Sequence, residues 1–278
     1  MNVIEYSGRS YSAEAREPWA SVLVCTLSAR DPVGAFSECR ENAIFHAFAH
    51  GLTVQTLNVR SSAIAPSRNL CVEQWKRRDW EGDPPEYILF LDDDMLFPDE
   101  IITHLVRTAK EREAGVLGVL ATGKAPPFPV CVLDRETRRP FSAADAMRHH
   151  QAREVVEVGA VGMACTVVRA ALFEAMEMPY FSFYHHLDEV AERVDAVRRD
   201  LEDGGAGDPQ VLAEALDRMR HHVVGEDYSF CIKLAERGER VLCDFGVETP
   251  YRGGVLPGIG HIAPYAYSLR DALADDST

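Results

Sequence analysis

Short apolar runs alternate along the first half of the chain with longer segments in which apolar residues recur every three or four positions. The runs Ser21 to Thr26, Leu52 to Val59, Tyr87 to Leu91 and Val116 to Ala121 predict strands buried on both faces. Between them the 3.6-residue pattern predicts helices from Pro32 to His50, with Gly51 as the stop, from Ala65 to Asp79, and from Pro98 to Glu113. Such strand–helix alternation implies an α/β protein with a mostly parallel, Rossmann-like central sheet flanked by helices and right-handed crossovers.

The pattern changes after Ala125-Pro126-Pro127. Pro129 to Leu133 and Glu154 to Val158 read as strands around a polar excursion containing Arg135, Arg138, Arg139, Arg148, His149 and His150. The small-residue segment Gly159-Ala160-Val161-Gly162-Met163 follows, where the backbone packs closely against a neighbour or a ligand. Residues 182–224 have a different character: Leu187, Val190, Val194, Val197 and Leu201, then Leu212, Leu216, Met219 and Val223, predict a helical hairpin broken at Gly204 to Pro209. Its apolar stripes pack on each other and on the domain, form a homodimer contact, or make a lid over an acceptor site, and His221 and His222 at its end are solvated. Gly225-Glu226-Asp227-Tyr228 opens a further helix ending at Gly238, Arg240 to Asp244 reads as a strand, and a Pro- and Gly-rich tail carries Gly260-His261. One domain is expected over residues 1–278, with a ligand-binding half at 20–125 and a second half at 126–265 that includes the hairpin.

The strand from Tyr87 ends in Asp92-Asp93-Asp94. Adjacent carboxylates repel and raise one another's pKa unless a cation neutralises them, and the carboxyl ends of strands are where open α/β sheets take ligands. Oxygen donors suit Mg2+ or Mn2+, which recruit phosphate oxygens as further ligands. Alternation along an extended segment puts Asp92 and Asp94 on one side and Asp93 on the other. The alternative is that these aspartates cap the helix near Pro98. An EF-hand loop begun at Asp92 fails because Phe97 stands where its sharp turn needs glycine, and Met95-Leu96 does not fit a haloacid-dehalogenase phosphatase.

Composition narrows the partners. A net charge of −15 argues against broad attraction to nucleic acid or anionic lipid. The start of the chain has no apolar centre like that of a signal peptide, and the longest apolar stretch, around Val158 to Val168, is too short to span a bilayer, so a soluble cytoplasmic protein without a transmembrane segment is expected. The seven cysteines form no CxxC pair and read as reduced core residues. Glu226 and Asp227, in the first turn of their helix, supply a hydrogen-bond acceptor or general base, with pKa values held low by the helix dipole. His261, between flexible residues, is an acceptable metal ligand beside carboxylates.

Taken in order, Ser67-Arg68-Asn69, Leu91-Asp92-Asp93-Asp94-Met95 with Phe97-Pro98, Val158-Gly159-Ala160-Val161-Gly162 followed by Arg169, Pro179-Tyr180-Phe181, Gly225-Glu226-Asp227 and Gly260-His261 resemble GT-A glycosyltransferases, especially family-2-like enzymes of bacteria and phages. The resemblance covers roughly residues 20–265. It implies that Asp92 and Asp94 form the DxD motif, binding metal and, through Asp92 with Asp93, the donor nucleotide. It further implies that His261 completes the metal site, that Arg68 lies near the donor diphosphate, and that Thr26 and Ser28 hold base and ribose. The segment at Thr26 lacks the usual Pro-Thr-Tyr-Asn form, which leaves the base unassigned, and the hairpin enlarges the acceptor side.

The chemistry so implied is transfer of a sugar from a nucleotide-diphosphate sugar to an acceptor hydroxyl, with Mn2+ or Mg2+ on the diphosphate and Asp227, or Glu226, taking the acceptor proton. Inversion is the expected outcome. A sugar-phosphate nucleotidyltransferase is the first alternative, but Leu27-Ser28-Ala29-Arg30-Asp31 offers no Gly-rich phosphate loop. A non-catalytic nucleotide- or sugar-binding module is the second. The acceptor stays open among saccharide, small molecule, protein and modified nucleic acid, the arginines near 135–148 offering a local patch for the last.

Overall fold

The computed structural model describes residues 2–6, 9–13, 18–28, 34–61, 63–77, 80, 83–122, 129–183, 198–199, 225–247 and 260–261. The hairpin expected at 182–224 falls almost wholly outside these residues.

An antiparallel pair, β1 (Asn2–Tyr6) and β2 (Arg9–Ala13), precedes the main body. The core is a seven-stranded sheet built from β3 (Ala20–Ser28), β4 (Leu52–Arg60), β5 (Tyr87–Asp92), β7 (Val116–Val119), β9 (Val155–Glu157), β11 (Cys165–Arg169) and β12 (Val241–Asp244). Its order is β4-β3-β5-β11-β7-β12-β9. Parallel pairing joins β3 to β4 and to β5, and β12 to β7. Short pairs lie outside it: β6 (Met95–Leu96) with β13 (Gly260–His261), and β8 (Val132–Leu133) with β10 (Ala160–Val161).

Both faces of this sheet are covered, which is why its strands read as continuous apolar runs. Alternation sends Leu23, Cys25 and Leu27 of β3 and Ile88 and Phe90 of β5 to one face. That face packs on α2 (Ile64–Arg77) and α5 (Glu226–Glu236) through Cys71, Val72, Trp75, Phe230 and Leu234. Val22, Val24, Leu89 and Leu91 face α1 (Gly34–Ala49) and α3 (Ile101–Glu111), meeting Phe36, Ala43, Ile102 and Leu105. Each fully buried side chain of this size contributes roughly 1.5–3 kcal/mol. Helix α1 stops at Gly51, whose φ of 78° lies in the left-handed region that glycine enters without strain.

Two elements depart from the sequence expectation. The polar excursion holds a helix, α4 (Ala143–Gln151), started by Ser142, whose hydroxyl oxygen accepts from the Asp145 amide at 3.1 Å and donates to the Asp145 carboxylate at 2.7 Å. The sheet, expected to be mostly parallel, is evenly mixed, because β11 runs antiparallel between β5 and β7 and β9 runs antiparallel at the edge. Thr166 in β11 is fully buried and satisfies its hydroxyl by donating to the Gly162 carbonyl at 2.8 Å.

The small-residue segment packs against protein. A Cβ on Gly159 would lie 2.7 Å from the Asp134 carbonyl oxygen, and one on Gly118 would lie 2.5 Å from Val161 Cγ2. Six of the seven cysteines are buried, and Cys131 is half-buried. No helix among the described residues is long and apolar enough to cross a membrane.

Candidate functional site

Strand β5 ends at Asp92, and Asp93 and Asp94 form a turn into β6 rather than continuing the strand. The alternation expected for an extended segment therefore stops at Asp92. The turn makes room for β6, which pairs antiparallel with β13 and sets the backbone of His261 opposite Met95, one residue beyond Asp94. Strand and tail, distant in sequence, thus meet at the acidic motif.

Asp92 continues the alternation of Ile88 and Phe90, so its carboxylate lies on the face covered by α2 and α5. There it meets Arg68, a buried residue in α2. Arg68 Nη2 donates to Asp92 Oδ1 at 3.2 Å, and Arg68 Nη1 donates to Glu226 Oε1 at the start of α5. The guanidinium fork so ties the end of a central strand to the first turn of a helix that lies 158 residues beyond Arg68 in sequence. Its Nε is buried without a hydrogen-bond partner among the described residues.

Neighbouring contacts hold α2 in place. Asn69 donates from Nδ2 to the Phe181 carbonyl at 2.8 Å and accepts from the Phe181 amide at 2.9 Å. Ser67 donates its hydroxyl to the Ala63 carbonyl at 2.7 Å. Phe181 stacks on Phe230 of α5, with ring centroids 4.4 Å apart, so α2 and α5 are locked together beneath the ion pairs.

Asp227 points elsewhere. Its Oδ1 accepts from the Tyr228 amide at 2.8 Å, and the Met163 amide further favours its charged form. A Cβ on Gly162 would lie 3.6 Å from its other oxygen. The small-residue segment therefore forms one wall beside this carboxylate.

The expectation that the helix end holds both α5 acids at low pKa is overturned. Burial raises the pKa of Glu226 and of Asp227, and in both it outweighs the opposing charge of Arg68. Desolvation of a carboxylate wins here because the first turn of α5 is packed into the protein, where a helix dipole compensates only part of the lost hydration. Cys131, beside Asp227, has its thiol pushed up to about 11 by burial and then by the Asp227 charge, so it stands as a neutral thiol and not as a nucleophile.

The other expected residues are not all brought to this cluster. Thr26 alternates onto the α1 face, opposite to Arg68, and its buried hydroxyl has no hydrogen-bond partner among the described residues. Ser28 closes β3, its carbonyl accepting from the Ser61 amide at 2.9 Å. Asp92, Arg68 and Glu226 are linked directly, with Asp227 the next residue on α5 and Asp93, Asp94 and the backbone of His261 at the adjoining turn. Acids outnumber the one guanidinium in this group, which favours a cation.

Hard carboxylate donors at Asp92 and Asp94 are the right class for Mg2+ or Mn2+. Among the described residues no group of three His, Cys, Asp or Glu is arranged to hold a metal ion.

A second arrangement was not foreseen from the sequence. His104 Nε2 lies 2.7 Å from Asp244 Oδ2, and Asp244 Oδ1 accepts from the Gly246 amide at 2.8 Å. His104 opens into a cleft of about 200 Å3 lined also by Pro98, Glu100, Arg153 and Val247. The signal available was a histidine among the apolar positions of an amphipathic helix and an aspartate closing an apolar strand.

No protein-family model matches the chain. The comparison with curated proteins gives no significant match. Among solved structures, the chain is similar to A197 from STIV, at 13% identity over 80% of this chain and 81% of that one, with a TM-score of 0.44. GalNAc-T7, crystallised with UDP, GalNAc and Mn2+, aligns at 9% identity over 87% of this chain and 43% of that one, with a TM-score of 0.42. S. aureus TarS 1–349 aligns at 14% identity over 56% of this chain and 48% of that one, with a TM-score of 0.29. The chain thus spans less than half the length of the last two. Likenesses this loose identify neither an activity nor a ligand for this protein; its architecture is the mixed α/β sheet described above.

Proposed function

We propose that this protein is a metal-dependent GT-A glycosyltransferase, moving a sugar from a nucleotide-diphosphate sugar to an acceptor hydroxyl with inversion. The observation that carries the reading is the convergence of Asp92 with Arg68 and the Glu226-Asp227 helix start at the carboxyl end of β5, where the His261 backbone also pairs beside Asp94. An open α/β sheet takes ligands at that end of its strands, and a cluster with surplus carboxylates there suits a cation carrying a diphosphate.

Asp92 and Asp94 would hold Mn2+ or Mg2+, with His261 as a further ligand. When bound, the cation supplies charge stabilisation to the departing nucleoside diphosphate. Asp227 takes the proton of the attacking acceptor hydroxyl: it is a carboxylate whose pKa is moved upward from the ordinary aspartate value, closer to the range where a base acts well at neutral pH.

A thermal-shift screen of UDP, GDP, CDP and dTDP with and without Mn2+, on the wild type and Asp94→Ala, tests the reading. A Mn2+-dependent rise in melting temperature with one nucleotide, lost in the variant, supports it, because a ligand selective for the folded state stabilises that state. No rise with any nucleotide overturns it. Binding without turnover of any nucleotide sugar would point to a non-catalytic binding module instead.

A further inference from the structure

We propose that Glu226, rather than sharing the base role given above to Asp227, is a positioning residue acting through Arg68 on Asp92. The inference rests on the glycosyltransferase reading for its chemistry, and on the ion-pair geometry for its linkage.

Asp92 is the most exposed of the linked side chains and Arg68, between the two acids, the least. Glu226 is 9% exposed, Arg68 3% and Asp92 19%, so a ligand reaches this group from the Asp92 end. Glu226 already has an oxygen committed to the Arg68 guanidinium at the closed end. A base must present an oxygen within hydrogen-bond reach of the proton it removes, and Asp227, whose described hydrogen bonds come from backbone amides, is the acid of the two that stands off the Arg68 fork.

Arg68 is engaged at both ends of its fork, with N–H groups left over on the same terminal nitrogens and at Nε. One terminal nitrogen is held by Glu226 and the other by Asp92, and its helix is pinned by the reciprocal Asn69 and Phe181 hydrogen bonds on the next residue. The planar fork fixes the angle between its two partners, which a lysine cannot reproduce. What Glu226 contributes is therefore the direction in which Arg68 holds the Asp92 carboxylate, and the affinity of the donor site depends on it.

The test compares wild type, Glu226→Gln, Arg68→Lys and Asp227→Asn, measuring Kd for each of UDP, GDP, CDP and dTDP with Mn2+ by calorimetry, and kcat and KM with the matching nucleotide sugar. Glu226→Gln and Arg68→Lys should each raise Kd and donor KM by about five-fold or more with a smaller change in kcat, and the double variant should be no worse than the poorer single one. Asp227→Asn should leave Kd within about two-fold and lose kcat by on the order of 100-fold or more. A Glu226→Gln protein with wild-type Kd and a comparable loss of kcat overturns the assignment and makes Glu226 the base.

A measurement without ligand separates this inference from the functional reading and covers the case in which Glu226→Gln folds poorly. Arg68 held at both ends should show resolved, slowly exchanging Nη resonances by NMR in the wild type, merging in Glu226→Gln or, should that variant not fold, in Asp92→Asn. Failure of the wild type to bind any nucleotide would sink the glycosyltransferase reading while leaving the linkage to these resonances. Averaged Arg68 resonances in the wild type would overturn the linkage itself.

Discussion

Asp244, at the end of β12, holds His104 of α3 at 2.7 Å across the C-terminal edge of the sheet. The aspartate side chain is 4% exposed and the histidine 42%, so a buried carboxylate orients an imidazole that still meets solvent. The hydrogen bond to Asp244 raises the His104 pKa from its ordinary value of 6.5, against the opposing effect of burial, with Glu100 adding to the rise and Arg107 subtracting from it.

A group whose folded pKa is raised contributes stability that is complete below its unfolded pKa and is lost as pH rises through the folded value. The stability difference between wild type and His104→Asn should therefore be largest at and below about pH 6.5 and shrink as the pH is raised above it. Urea midpoints of both proteins across pH 6 to about 9 would check this, ionic strength held constant. A difference that is flat with pH would mean that the pair acts only through packing.

Asp227 carries a second pH dependence, in activity. Its pKa is raised above the ordinary aspartate value of 3.8 by burial, and a base works only when ionised. The acidic limb of the kcat profile should accordingly lie at higher pH than an exposed aspartate would give, and Asp227→Asn should reduce kcat by roughly 10²–10⁴-fold. A pH–rate profile with the nucleotide sugar selected by the thermal-shift screen would measure both.

The apolar runs that became β3, β4, β5 and β7, and the amphipathic segments that became α1, α2 and α3, were legible because their burial is written in local periodicity. Strand β11 was not: Cys165 to Arg169 merges with the small-residue segment before it, and its place between β5 and β7 is decided by long-range antiparallel pairing. Helix α4 was hidden in charge, although Ser142 followed by Asp145 carried a start signal. At the site, the acids and Arg68 were visible as residue types, whereas the linkage of Arg68 to both Asp92 and Glu226 exists only once α2 and α5 pack on one face. The raised pKa values of Glu226 and Asp227 followed from that packing and reversed an argument made from the helix end alone.

The aromatic cluster under the site should be costly to open. Phe230 is fully buried, stacked between Phe181 at 4.4 Å and Phe173 at 5.4 Å. Phe230→Ala should lower stability by about 3–5 kcal/mol, and Phe230→Leu by less, in denaturant titrations. Because Phe230 lies one turn after Glu226 and Asp227 in α5, the alanine variant should also weaken nucleotide binding at temperatures where it remains folded.

Gly118 in β7 tests how tightly the wall beside Asp227 is built. A Cβ there would stand 2.5 Å from Val161 Cγ2 and 2.7 Å from Thr166 Oγ1, inside any real contact distance. Val161 belongs to β10, one residue before Gly162, and Thr166 donates its hydroxyl to the Gly162 carbonyl, so both neighbours that Gly118→Ala would displace lead to the same wall. Overpacking of this kind costs typically 1–3 kcal/mol. Since the clash is with one branched side chain and one hydroxyl, Val161→Ala should recover part of the loss in the double variant, a coupling visible in a denaturant double-mutant cycle. If the two losses simply add, the strain sits at Thr166 instead, and Thr166→Ala in the Gly118→Ala background becomes the variant expected to recover it.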